Sequence, residues 1–117
     1  MSVSFVLFYF FKSHGKKVIC YFSAGTFEDG DSRRPDSGDF PDYVKGHTLK
    51  DWHDEKWLDI TKSVVRTIMT ARLKLARDKG CDGVEPDNVD GYQPVSKSGF
   101  HLQPSDQLTY NKWLARG

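Results

Sequence analysis

The sequence predicts a parallel α/β fold of about two strand–helix units, and three observations carry that expectation. A short continuous apolar run with β-branched and aromatic residues, at 18–22, marks a buried strand. A helix-periodic stretch follows and stops at Gly80. A second short strand at 83–85 is then succeeded by a turn-rich stretch and another helix. Strand, loop, helix, strand, loop, helix is the alternation of parallel α/β folds.

In chain order, residues 5–11 form an apolar run of seven, whereas a membrane-spanning helix needs about 20. No basic residue precedes it, no A-x-A-like cleavage site follows it, and Lys12 comes at once, so it does not resemble a signal peptide. It is expected to belong to a buried helix or to an atypical start spanning residues 1–11. The strand at 18–22 is introduced by Lys16 and Lys17 and closed by Ser23-Ala24-Gly25. A long acidic loop should then lead to the main helix, with Asp59 or Thr61 as N-cap and a core stripe of Val64, Val65, Ile68, Met69, Leu73, Leu75 and Ala76. Gly83-Val84-Glu85 reads as a strand ended by Pro86, with turns over residues 87–99. The last helix should open at Pro104, carry Ser105 and Asp106 in its first turn, and run through Leu108, Tyr110 and Trp113 to Leu114.

With 117 residues, 38% of them hydrophobic and 16 aromatic, the chain fits one domain with a packed core. A net charge of +1 argues against nucleic acid or an anionic membrane as partner. That balance hides two acidic segments, residues 28–42 and 81–96, each with a charge of −4, against +9 elsewhere. On charge alone they are solvated loops. Parallel strands, however, place their functional loops at the carboxyl ends, so both segments should share one face of the sheet and form a negatively charged cleft. The two cysteines, Cys20 and Cys81, allow at most one disulfide. Spacing leaves their pairing open, and the expectation is two buried free thiols.

Glu85, Asp87 and Asp90 cluster at the end of the second strand, and in extended chain Glu85 and Asp87 project to one side. Clustered carboxylates suit general acid and base work on glycosidic bonds. Asx capping of the turn is an equally open reading for Asp87 and Asp90. A metal site fits less well. Asp29-Gly30-Asp31 begins like an EF-hand, but Arg33 and Arg34 take a ligand position and the glycine position, and Phe40 stands where the bidentate Glu belongs. His14, His47, His53 and His101 are scattered without zinc-site spacing, and no GxSxG, GxGxxG or P-loop is present. No metal and no cofactor are expected.

Four strings carry a family resemblance: VICYFSAGTFED over residues 18–29, WLDI over 57–60, GVEPDNVDGY over 83–92 and DQLTYNKWLA over 106–115. In residues, order and spacing they resemble glycoside hydrolase family 114, the endo-α-1,4-polygalactosaminidase-like enzymes, some of them described as α-galactosidases. GVEPDNVDGY is the most specific of the four. The resemblance implies a TIM (β/α) barrel, an extracellular enzyme, and a galactosamine-containing polysaccharide as substrate. It makes Asp87 one of two catalytic carboxylates and has Ser23, Glu28, Glu85, Asn88, Asp90 and Tyr92 line the cleft. It also implies that the second catalytic residue is a Glu on a later strand, beyond this chain. A TIM barrel takes eight units in roughly 250 residues. The chain would then be a truncated fragment, inactive alone. A non-catalytic carbohydrate-binding fragment and an α-galactosidase acting on neutral galactosides are the alternatives.

Overall fold

The computed structural model describes residues 5–28, 39–50 and 52–116. Helix α1 (Phe5–Ser13) leads into strand β1 (Ile19–Ser23) and a short β2 (Thr26–Glu28). Strands β3 (Lys45–Leu49) and β4 (Trp52–Leu58) precede helix α2 (Ser63–Lys79), strand β5 (Gly83–Asp87) and helix α3 (Pro104–Arg116). Strands β1 and β5 pair in parallel, with Ile19 opposite Gly83 and Ser23 opposite Asp87, so the expected parallel βα arrangement is present. Residues 29–38 of the first acidic segment lie outside the described residues.

The main helix meets its expectation in the core and at its end. Val65, Ile68, Met69, Arg72 and Ala76 are buried, the 3.6-residue stripe of a helix lying on a sheet. Gly80 closes it in the left-handed region at φ 88°, its N–H bonded to the carbonyls of Ala76 and Arg77. Two details differ. Leu75 is 47% exposed, because it falls one residue off that stripe. The N-cap is Lys62, without a side-chain cap. Asp59 closes the preceding turn instead, its Oδ1 accepting from the Thr61 N–H (3.1 Å) and hydroxyl (2.6 Å). Helix α3 opens at Pro104 as expected, and Asp106 reaches back to the Gln103 N–H at 2.8 Å, half of a capping box.

The expected long acidic loop between the first strand and the main helix is wrong in its described part. There β2, β4 and β3 form an antiparallel sheet in that order. The middle of β4 is His-Asp-Glu-Lys, so it lacks an apolar signal and rests on the ladder and on the burial of Trp57 and Leu58. Strand β5 also outlasts its expected stop at Pro86 and continues to Asp87. Among the described residues it pairs with β1 alone, with Phe22 opposite Pro86.

The core joins Phe22, Phe27, Val44, Leu58, Met69, Tyr110 and Leu114. A smaller cluster of Phe8, Val18 and Cys20 packs α1 against the start of β1, while Tyr9, Phe10 and Phe11 of the same helix are exposed. The apolar start is thus helical, and among its described side chains Phe8 is the buried one. Cys81 joins this cluster, and the expectation of free thiols is overturned: Cys20 and Cys81 form a disulfide, with Cα atoms 6.0 Å apart. The parallel register of β1 on β5 sets that approach across 61 residues of sequence. Among the described residues no helix is long and apolar enough to cross a membrane.

Candidate active site

Alternation along β1 decides which side chains meet the cleft. Cys20 and Phe22 are buried on the helix side, so Tyr21 and Ser23 occupy the other face, as do Glu85 and Asp87 of β5. At the carboxyl end of the pair the Tyr21 hydroxyl donates to Asp87 Oδ2 at 2.7 Å. Tyr21, Trp52, Glu55, Asp87 and Asn88 line a pocket of about 180 Å³. A larger apolar groove of about 470 Å³ runs between α2, β5 and α3, floored by Val84 and Pro86 on the opposite face of β5. It contains none of these polar groups.

The turn after β1 is held from four directions. Ala24 N–H donates to the Asp87 carbonyl at 2.9 Å. Arg72, buried in α2, donates to the Ser23 carbonyl at 3.0 Å, and Tyr110, fully buried in α3, donates its hydroxyl to the Ala24 carbonyl. Leu58 N–H donates to the Gly25 carbonyl at 2.9 Å. A side chain on Gly25 would overlap the backbone oxygen of Asn88, so only glycine lets the two loops close on each other. Asn88 sits in the left-handed region at φ 58°, which Asn tolerates, and turns the chain away directly after Asp87. From α3, Asn111 donates to the Val89 carbonyl at 3.3 Å and tethers the same loop.

The residues implied to line the cleft divide into two groups. Asp87 and Asn88 line the pocket. Glu28 sits at the end of β2 directly opposite Glu55, and its charge acts on Tyr21. Ser23 is 2% exposed and serves as an internal hydrogen-bonding group beneath the pocket. Glu85 is exposed and Asp90 opens the following turn, its backbone carbonyl accepting from Gln93 N–H at 3.0 Å. Tyr92 packs against the core and accepts from Gln93 Nε2 at 3.2 Å. None of these last three lines the pocket. Asp82, of the same acidic segment, lies at the opposite end of β5. There the Val18 N–H (2.7 Å) and Lys12 ammonium (2.9 Å) hold its carboxyl below the usual carboxylate range. The second acidic segment is therefore split between the two ends of the strand.

Sequence reasoning missed Tyr21, Thr26, Trp52 and Glu55. Tyr21 was recoverable, since it alternates with two core residues. The other three sit on strands β2 and β4, which carry no clear strand signal.

Burial raises the Tyr21 phenol well above its ordinary range, and its hydrogen bond to Asp87 and the charges of Asp87, Glu55 and Glu28 raise it further. Burial also raises Tyr110, against the opposing charges of Arg72 and Arg66. Folded-state values above the unfolded phenol value of about 10 mean a stabilising contribution that is complete below pH 10. It is lost as pH rises beyond that, because the unfolded phenols ionise first. In an absorbance titration, two of the five tyrosines should ionise only together with alkaline unfolding, and Tyr21→Phe should reduce that number to one. Five tyrosines titrating as one class near pH 10 would contradict this geometry.

The profile of Glycoside-hydrolase family GH114 matches residues 9–117, and the chain belongs to that family. Among solved structures it is similar to Aspergillus fumigatus Ega3 in complex with galactosamine, with 48% identity and a TM-score of 0.86 over 95% of this chain and 42% of that one. The glycoside hydrolase domain of PelA from Pseudomonas aeruginosa shares the fold, with 20% identity and a TM-score of 0.59 over 90% of this chain and 38% of that one. No curated protein matches. The chain thus spans less than half the length of these two structures.

Proposed function

We propose that the chain is part of an endo-acting glycoside hydrolase of a galactosamine-containing polysaccharide, and that Asp87 supplies one of its two catalytic carboxylates. The observation that carries this reading is the placement of Asp87. It stands at the carboxyl end of a parallel strand, in a pocket with a second carboxylate, Glu55, and the 64% exposed indole of Trp52. Ligand sites of parallel α/β sheets lie at that end. An exposed indole beside carboxylates offers a sugar an apolar ring face next to acceptors for its hydroxyl and amino groups. The likeness to Ega3, solved with galactosamine, supports the choice of sugar. Most glycosidases flank the scissile bond with two carboxylates, one protonating the leaving oxygen and the other serving as base or nucleophile. In this arrangement Tyr21 occupies one oxygen of Asp87 and leaves the other to act. The Glu expected on a later strand would supply the partner carboxylate, within a complete TIM barrel. The Cys20–Cys81 disulfide supports an extracellular setting, since such bonds persist in oxidising compartments.

Charge provides the test. A deacetylated galactosamine polymer is cationic near neutral pH, and Glu28, Glu55 and Asp87 stand at one end of the sheets. Exposed charges are screened beyond about 8 Å at physiological salt. Binding of the deacetylated polymer by a complete barrel carrying this chain should weaken as salt rises, while the fully N-acetylated polymer should show little salt dependence. Equal affinities for the two polymers at low salt, measured by calorimetry, would overturn the cationic substrate.

A further inference from the structure

Beneath the pocket runs a chain of four polar side chains from strands β4, β2, β1 and the loop after β5. Thr26 Oγ1 donates to Glu55 Oε2 at 2.8 Å. Ser23 Oγ and Thr26 Oγ1 share a short hydrogen bond. Asn88 Nδ2 donates to Ser23 Oγ at 2.9 Å, and the Thr26 N–H donates to the same oxygen at 3.2 Å. Ser23 and Thr26 are buried, so each hydroxyl must place its single proton within the chain.

Only one proton order satisfies it. An ionised Glu55 can only accept, so the Thr26 proton goes to Glu55. The Ser23–Thr26 contact must then be made by the Ser23 proton. Ser23 has no proton left, so Asn88 must present its NH2 group to Ser23. A flipped Asn88 amide, with its oxygen toward Ser23, would leave one contact in the chain without a proton.

We propose that Glu55 is a positioning residue which, through Thr26 and Ser23, fixes the orientation of the Asn88 amide. The pocket beside Asp87 is thereby offered the Asn88 carbonyl oxygen and not its NH2 group. With Tyr21 donating to Asp87, the groups then facing a ligand are acceptors: the Asp87 and Glu55 carboxylates and the Asn88 oxygen. Such a lining favours a group rich in N–H or O–H donors. That consequence deepens the proposed function and rests on it, but the proton order does not.

Exchanging the ends of the chain tests the order. Asn88→Asp places acceptors at both ends of two hydroxyls, so one contact loses its proton. Glu55→Gln together with Asn88→Asp reverses the chain: the new amide on β4 donates to Thr26, Thr26 to Ser23, and Ser23 to the new carboxylate after β5. Asn88→Asp also adds a charge in the pocket that holds Asp87 and Glu55, so the cycle is run at low and at high salt. Repulsion between carboxylates is screened by salt and a missing proton is not, so a rescue that disappears at high salt overturns the proposal. In chemical denaturation of the full chain, Asn88→Asp alone should raise the unfolding equilibrium constant about tenfold or more. The same Asn88→Asp change made in the Glu55→Gln background should cost at least about fivefold less than it costs the native chain. If Asn88→Asp does not fold, folding of the double variant is the expected rescue. A double variant whose loss equals the product of the two single losses, or that fails to fold as well, overturns the proposal. Titration with galactosamine is read separately. Failure of a complete barrel carrying this chain to bind it would count against the proposed function and leave the stability cycle to judge Glu55.

Discussion

Asp87→Asn is expected to slow cleavage of a galactosamine polymer by a complete barrel carrying this chain by about 10³-fold or more in kcat. The amide keeps an oxygen that can accept from Tyr21 (2.7 Å from the native carboxylate), so the local hydrogen bond and the fold should survive. What disappears is a carboxylate able to exchange a proton with the leaving group or to bear the developing positive charge of the sugar ring. The loss should therefore fall on kcat, with the KM for the polymer changing far less. Measurement of reducing ends released over time checks it, with thermal unfolding as the control for folding. A variant that keeps more than about a tenth of the native rate would move the catalytic assignment away from Asp87.

Removing the disulfide should have the largest effect on stability. Cys20 and Cys81 are 61 residues apart in sequence, and closing a loop of that length restricts the unfolded chain by about 4 kcal/mol at 25 °C in the chain-entropy view. For 117 residues that corresponds to a fall in Tm on the order of 15 °C. The Cys20→Ser, Cys81→Ser double variant should show it by calorimetry, and the native chain should show a similar fall under a strong reductant. The bond ties the starts of β1 and β5 together at the end of the strands opposite Asp87, in the cluster with Phe8 and Val18. Galactosamine binding, measured at a temperature where both forms are folded, should therefore change little. A Tm within about 3 °C of the native value would overturn the stabilising role given to the bond.

What the sequence determined by itself was whatever rests on local pattern. The apolar run of β1, the 3.6-residue stripe and Gly80 stop of α2, and the Pro104 start of α3 are each written within a few consecutive residues. Their alternation was enough to predict the parallel pairing of β1 with β5. The placement of Asp87 at the carboxyl end of the second strand was legible for the same reason, whereas the role proposed for it rests on the family resemblance of GVEPDNVDGY. Tertiary structure alone decided the rest. The sheet of β2, β4 and β3 depends on backbone pairing of polar strands, and with it came Trp52, Thr26 and Glu55, none of which a hydrophobic pattern can reveal. The pairing of Cys20 with Cys81 depends on a register between strands more than sixty residues apart. Separation of Asp82 from Asp87 needed the length of β5, which carries two acids of one charged segment to opposite ends of a strand. Sequence spacing records which residues are neighbours along the chain, whereas hydrogen-bonding partners across strands are chosen by the free energy of the whole packed arrangement.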